Sequence, residues 1–91
     1  RGELPPGAGL AETLAGLFPM GSMTGAPKRR AMELIDHYEA GRRGLYSGAV
    51  GWLEASGDFD LSVVIRSLQL RADTGYLSFQ VGSALTYDAD P

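Results

Sequence analysis

Hydrophobic and polar positions alternate with two different periods along this chain of 91 residues. Between residues 10 and 40 the apolar positions recur every three or four residues, which is typical of amphipathic helices. The segment LAETLAGLF (10–18) predicts a short helix, and a clearer second helix follows it. The apolar face of that second helix consists of Ala31, Leu34, Ile35 and Tyr38. The opening segment 1–9, with its LPPGAG stretch, is predicted to be a loop or linker.

Local signals predict where the second helix begins and ends. Pro27 suits the first turn, because no backbone N–H donor is needed there. Thr24 is a plausible cap for the same end. Gly41 suits the stop, because glycine readily adopts the left-handed conformation that ends many helices.

The period of the apolar positions then changes to two, which indicates β-strands. We predict three strands: LYSGAVGWLEA (45–55), DLSVVIRSLQL (60–70) and GYLSFQVGSAL (75–85). Short turn sequences, SGD and ADTG, separate them. The simplest arrangement is a three-stranded antiparallel meander over 45–86 with the helices packed on one face, which is an α+β fold.

An arginine interrupts the middle predicted strand. Arg66 shares its parity with Val64, Leu68 and Leu70, so we expect it to project from an otherwise apolar face. The opposite face is apolar as well, which favours a central strand covered on both sides. An arginine buried there must be paired. Two interpretations stay open: a structural ion pair with Asp or Glu, or a planar fork that holds a ligand carboxylate.

A polar loop stands directly before the second helix. The segment GSMTGAPK (21–28) is not a phosphate-binding Walker loop, because only three residues separate its glycines and Ala-Pro precedes the lysine. Free N–H groups and the helix dipole at such an entrance favour an anion. Ser22 and Thr24 can equally be simple helix caps. Tyr46, at the start of the first predicted strand, also has two interpretations: it packs against neighbouring residues, or it binds a ligand.

Composition excludes several classes of function. The net charge of −3 argues against a dedicated nucleic-acid binder, and we interpret the basic residues of 28–43 mostly as the solvated face of a helix and its exit. There is no cysteine, which excludes disulfides and thiol chemistry, and His37 alone cannot form a Ser–His or multi-His site. No apolar run approaches the roughly 18 residues that cross a membrane. The chain begins with Arg1 rather than Met, so we expect a processed chain or a fragment. The lack of cysteine is compatible with a reducing compartment, and we expect a cytoplasmic location.

Three blocks of the chain resemble the C-terminal end of the chorismate-utilising enzymes. They are FPMGSMTGAPKRRAMELID, RRGLYSGAVGWLEASGDFDLSVVIRSL and VGSALTYDADP, and they cover 18–91 in the family's order. That family includes anthranilate synthase component I, aminodeoxychorismate synthase component I, and the isochorismate and salicylate synthases. The resemblance implies that 1–91 is the C-terminal part of a chorismate-binding domain, a fragment of its larger α/β fold.

The resemblance also implies a reaction. Thr24 in GSMTGAPK most resembles the aminodeoxychorismate synthase branch, whereas anthranilate synthases more often have serine there; the salicylate and isochorismate branch is a further alternative. The implied parent is a transaminase-type enzyme that converts chorismate and ammonia to 4-amino-4-deoxychorismate, for 4-aminobenzoate and folate synthesis. A glutamine amidotransferase would supply the ammonia. In the family, Mg²⁺ holds the ring carboxylate of chorismate.

The loop contributes three of the implied substrate-binding residues. Ser22 and Thr24 would lie beside chorismate. Lys28 would add positive potential or order the loop. The block VGSALTYDADP departs from the family pattern, because Ser83 and Ala84 replace two glycines of its usual glycine run.

The strands contribute the other three. Tyr46 and Arg66 would bind the enolpyruvyl carboxylate, and Gly82 would add its backbone amide. The family's magnesium-binding glutamates and its catalytic lysine have no counterpart in this chain, so we expect neither a catalytic nor a metal-binding residue here. We therefore expect the isolated chain to be inactive. The alternative is a non-catalytic chorismate-binding or structural module, which could form homo-oligomers.

Overall fold

The computed structural model describes residues 3–90, and within that range helices precede antiparallel strands. The elements in chain order are α1 (Leu10–Leu17), a 3₁₀ turn (Gly21–Met23), α2 (Lys28–Tyr38), β1 (Ala49–Leu53), β2 (Phe59–Val63), β3 (Leu68–Arg71) and β4 (Tyr76–Phe79). The predicted α+β class is confirmed. None of the helices in this range is long and apolar enough to cross a membrane.

Both predicted helices form, but the ends of α2 differ from the prediction. Pro27 stands immediately before the helix, in extended conformation, rather than within its first turn. Thr24 does not cap α2. Its hydroxyl donates instead to the carbonyl oxygen of Met20, four residues earlier in the same loop, at 2.9 Å. The helix ends at Tyr38, three residues before Gly41.

The strands form two separate hairpins. In the first, β1 pairs antiparallel with β2, from Ala49 opposite Val63 to Leu53 opposite Phe59. In the second, β3 pairs with β4 in the same sense. The predicted first strand therefore begins four residues late, which leaves Tyr46 in the turn before β1. The predicted third strand ends early, so Gly82 follows β4 in irregular structure.

A turn divides the predicted middle strand and explains why the three-stranded meander becomes two hairpins. The N–H of Ile65 donates to the carbonyl oxygen of Val63 at 3.0 Å, closing a three-residue turn. The hydroxyl of Ser67 donates to the carbonyl oxygen of Ile65 at 2.8 Å. Arg66 between them has φ of 53°, in the left-handed region that non-glycine residues rarely adopt. The parity expected of a continuous strand therefore does not extend through Arg66.

Apolar side chains are not collected into a core among residues 3–90, where no hydrophobic residue is buried. Trp52 is 62% exposed, Leu68 70% and Phe79 66%. The expectation that the middle strand is covered on both faces is therefore wrong for this chain. Extensive contacts between elements of the described range are confined to the two hairpins, so the helices do not pack on a sheet. The radius of gyration is 15.9 Å, against about 12 Å for a compact domain of this length.

Candidate functional site

An open cleft of about 1000 Å³ lies where five segments of the chain meet. These segments are the loop before α2, α2 itself, the turn before β1, the turn between the hairpins and the stretch after β4. Of the residues predicted to bind substrate, the cleft is lined by Ser22, Thr24, Tyr46, Arg66 and Gly82. Lys28, the first residue of α2, is not part of the lining. The fold thus brings five of the six predicted residues to one place.

The loop is held against the helix that it precedes. The 3₁₀ turn contains Ser22, and Thr24 closes it by donating its backbone N–H to the carbonyl oxygen of Gly21 at 3.3 Å. Gly25 has φ of 146°, and a Cβ there would lie 2.9 Å from the Cβ of Ala31. Glycine is therefore needed at position 25, both for its conformation and for the close approach of the loop to α2.

Tyr46 and Gly82 meet inside the cleft. A Cβ built on Gly82 would lie 2.7 Å from the hydroxyl oxygen of Tyr46. The absence of a side chain at position 82 therefore leaves room for that hydroxyl beside the backbone. Such an arrangement presents a phenolic O–H and a backbone segment side by side to anything that enters the cleft.

Arg66 reaches the cleft from the turn between the hairpins. Its residue is exposed, and among residues 3–90 its side chain makes no salt bridge. The interpretation of Arg66 as one half of a structural ion pair is therefore not supported. A guanidinium in an open cleft can offer parallel N–H donors to a carboxylate.

Sequence reasoning missed Arg43, which also lines the cleft. Its Nη1 donates to the carbonyl oxygen of Met23 at 2.6 Å, and its Nε donates to Oε2 of Glu39 at 2.9 Å. Its guanidinium carbon lies 6.0 Å from the ring centroid of Tyr46. The spacing of four residues between Glu39 and Arg43 is the available sequence signal, whereas the charge pattern predicts a solvated position for this arginine.

The ion pair changes the protonation behaviour of both partners. The side-chain hydrogen bond from Arg43 holds the pKa of the Glu39 carboxyl below its ordinary value. The same bond raises the pKa of the Arg43 guanidinium. Each group therefore stabilises the charged form of the other.

The acidic side chains of residues 3–90 are not arranged to hold a metal ion. Within residues 3–90 no group of three or more His, Cys, Asp or Glu side chains is arranged to hold one. Carboxylates are the protein ligands that Mg²⁺ prefers, so its site is not formed by the described part alone. Mg²⁺ therefore stays an expectation for the parent enzyme.

The family model described as "chorismate binding enzyme" matches residues 1–91. The chain therefore belongs to the chorismate-binding enzymes, which confirms the family indicated by the three sequence blocks.

Individual relatives carry two enzyme names. The chain is 44% identical over 91 residues to an anthranilate synthase component 1 of Haloarcula marismortui, covering 100% of this chain and 18% of that protein. It is 51% identical over 74 residues to an aminodeoxychorismate synthase of Streptomyces griseus, covering 81% of this chain and 10% of that protein. It is 50% identical over 72 residues to an anthranilate synthase component 1 of Vibrio cholerae, covering 79% and 13%. The chain thus spans less than a fifth of each of these relatives.

Proposed function

We propose that this chain forms one wall of the chorismate site in an aminodeoxychorismate synthase component I. The parent enzyme adds ammonia to the chorismate ring with loss of the 4-hydroxyl, giving 4-amino-4-deoxychorismate for 4-aminobenzoate and folate synthesis. The observation that carries this proposal is that Tyr46, Arg66, Gly82, Ser22 and Thr24 line one cleft, with no salt bridge to Arg66 among residues 3–90. They come from four segments, and a chorismate-binding role accounts for all of them.

The enolpyruvyl carboxylate is the proposed ligand of Arg66 and Tyr46. A planar guanidinium can give a carboxylate two hydrogen bonds, and the Tyr46 hydroxyl can give it another. Gly82, which lies against that hydroxyl, would add its backbone amide. The N-terminal end of α2 also borders the cleft, through Pro27 and Arg30, and a helix N-terminus favours an anion.

The hydroxyl groups of Ser22 and Thr24 are proposed to contact the ring of chorismate. The Thr24 hydroxyl already donates its proton to Met20, so its oxygen faces other partners as an acceptor only. An acceptor suits the ring hydroxyl of chorismate, or the incoming ammonia, better than it suits a carboxylate. Ser22 carries no such internal bond among residues 3–90, so its hydroxyl can donate or accept.

Anthranilate synthase component I is the second candidate. The observation in its favour is that two of the three relatives described above carry that name, one of them matching the whole chain. Both enzymes would use the same wall of the site, because both begin with chorismate and ammonia. They differ in the ring position that receives nitrogen.

Product analysis with the full-length parent distinguishes the candidates. The enzyme is incubated with chorismate, Mg²⁺ and an ammonium salt, with and without a separately purified aminodeoxychorismate lyase. We expect 4-aminobenzoate only when the lyase is present. Anthranilate formed without the lyase would support the second candidate, and unchanged chorismate under both conditions would reject both.

The proposed partner and location follow from the same reaction. Glutamine should replace the ammonium salt only when a glutamine amidotransferase subunit or domain is present. Removal of Mg²⁺ with a chelator should stop turnover. We propose a cytoplasmic location, with which the lack of cysteine is compatible.

A further inference from the structure

We infer that Arg43 is a positioning residue of the chorismate site, which holds the loop with Ser22 and Thr24 and the ring of Tyr46 in one fixed arrangement. This inference rests on the proposed function, because it assigns Arg43 a role toward residues proposed to bind chorismate. Arg43 itself is not assigned a contact with substrate.

The Arg43 side chain contacts three parts of the site. Nη1 donates to the carbonyl oxygen of Met23 at 2.6 Å. Nε donates to the two carboxylate oxygens of Glu39, at 3.2 Å and 2.9 Å. The guanidinium also lies over the ring of Tyr46 at 6.0 Å, within the range of a cation–π interaction. The loop, the end of α2 and the turn before β1 are thereby linked through a single group.

The position of Met23 gives the first bond its importance. Met23 lies between Ser22 and Thr24 in the chain. A hydrogen bond to its carbonyl therefore holds the Met23–Thr24 peptide, next to both residues proposed to meet the substrate ring. Arg43 is itself held by Glu39, the residue directly after α2, so the loop is connected through Arg43 to the end of a helix.

Burial separates this arginine from the other paired arginines of the described range. Only 21% of the Arg43 side chain is exposed, whereas Arg29, Arg30 and Arg71 and their acidic partners are each at least half exposed. Exposed ion pairs contribute little, because water screens them. A charged donor to a carbonyl in a part-buried place contributes more. Arg43 also lines a second cleft of about 530 Å³ and forms part of the wall between the two.

Lysine could not perform all three roles. The guanidinium offers five N–H donors in one plane, so it can bind a carboxylate on one edge, a carbonyl on another and an aromatic ring on its face. An ammonium is a compact charge without such a plane. We therefore expect Arg43→Lys to keep part of the arrangement.

The test uses the full-length enzyme with Arg43→Ala, Arg43→Lys and, as a matched control, Arg42→Ala. Steady-state kinetics give KM for chorismate and kcat separately, and hydrogen exchange is followed over 18–27, 44–48 and 68–79. We expect Arg43→Ala to raise KM about tenfold or more, with a smaller change in kcat. Exchange should rise over 18–27 and 44–48 but not over 68–79. Arg43→Lys should be intermediate, and Arg42→Ala should match the wild type.

Several outcomes would overturn the inference. One is an unchanged KM for chorismate in folded Arg43→Ala. Another is a lower Tm with faster exchange in all three ranges, because that pattern indicates general destabilisation. If Arg43→Ala does not fold, Arg43→Lys with wild-type KM and exchange would overturn it as well. If the wild-type enzyme does not use chorismate, the proposed function fails, and the exchange over 18–27 still decides whether Arg43 holds the loop.

Discussion

Arg66 has an unusual backbone conformation, although its side chain forms no ion pair within residues 3–90. Its φ of 53° lies in a region that costs non-glycine residues free energy. Backbone strain at an exposed, unpaired cation is more understandable if the cation has a ligand. The turn that contains Arg66 places it on the cleft shared with Tyr46.

Replacing Arg66 in the full-length parent should impair catalysis rather than folding. Hydrogen bonds to charged groups contribute about 1.5–3 kcal/mol each, so Arg66→Ala should lower kcat/KM by roughly 100-fold or more. Arg66→Lys should recover part of the loss, because an ammonium keeps the charge without the fork. Melting temperature and kcat/KM are measured on the same sample. A folded Arg66→Ala variant with unchanged kcat/KM would remove Arg66 from the site.

Adding a methyl group at Gly82 is a second test of the proposed substrate site. A methyl group at position 82 would lie 2.7 Å from the Tyr46 hydroxyl, which must then move. Because that hydroxyl ends a side chain, the displacement should cost little stability, and we expect Gly82→Ala to raise KM for chorismate while Tm changes little. Gly41→Ala is the control, since its added Cβ would meet nothing within 4 Å. Equal kinetics for the two variants would contradict the proposed crowding.

At the scale of an element, the first hairpin depends on one glycine. A Cβ on Gly51 would overlap the backbone carbonyl oxygen of Asp60 on the paired strand, and backbone cannot move aside as a side chain can. Gly51→Ala should destabilise the parent by about 1–3 kcal/mol, the usual cost of overpacking. Chemical denaturation measures the loss.

Gly16→Ala is the matched control for that experiment. Gly16 lies within α1, and an added Cβ there would meet nothing within 4 Å. Alanine favours a helix over glycine by roughly 0.5–1 kcal/mol, so this variant should be as stable as the wild type or more so. If both variants lost stability equally, steric overlap at Gly51 would not be the cause.

The sequence predicts those features that depend on neighbouring residues better than those that depend on contacts between residues far apart in the chain. The helices were predictable, because an apolar period of three to four residues is a local property. The turn at Arg66 was not, because VVIRSLQL alternates like one continuous strand and contains neither glycine nor proline. The cleft residues came from a family resemblance rather than from periodicity. Arg43 was missed because its bond to the Met23 carbonyl spans 20 residues of chain, which no local pattern encodes.

At the scale of the whole molecule, the isolated chain has apolar faces without partners. Trp52 and Phe79, on different hairpins, are both more than half exposed, and no hydrophobic residue of 3–90 is buried. Large exposed apolar patches drive association. We predict that the purified 91-residue chain forms dimers or larger oligomers, measured as molar mass by light scattering. A monomer at high concentration would contradict this.

A variant with polar replacements tests the cause of that association. Trp52→Ser combined with Phe79→Ser removes one large side chain from each hairpin and should lower the measured mass toward that of the monomer. Gly41→Ala, which changes no apolar face, should leave the mass as it is. If the double variant associates like the parent chain, unpaired strand edges are the better explanation.

The isolated chain should also be inactive. We expect no product from chorismate, ammonium salt and Mg²⁺, because residues 3–90 contain no group of side chains that could hold a metal ion and because we expect the catalytic lysine of the parent to lie outside this chain. The assay includes the lyase and is sensitive to both 4-aminobenzoate and anthranilate. Formation of either compound would show that one wall of the site is enough.

The lack of a hydrophobic core among residues 3–90 also affects protein engineering. Positions such as Trp52, Leu68 and Phe79 look suitable for solubilising substitutions, dye attachment or surface redesign, because their side chains are exposed. In the parent, whose relatives are more than five times as long as this chain, these same positions would be covered by other parts of the polypeptide. A mutational scan of the parent should therefore find them as intolerant as interior positions. Tolerance to mutation would follow the neighbours that each side chain has in the complete enzyme rather than the exposure seen in this segment.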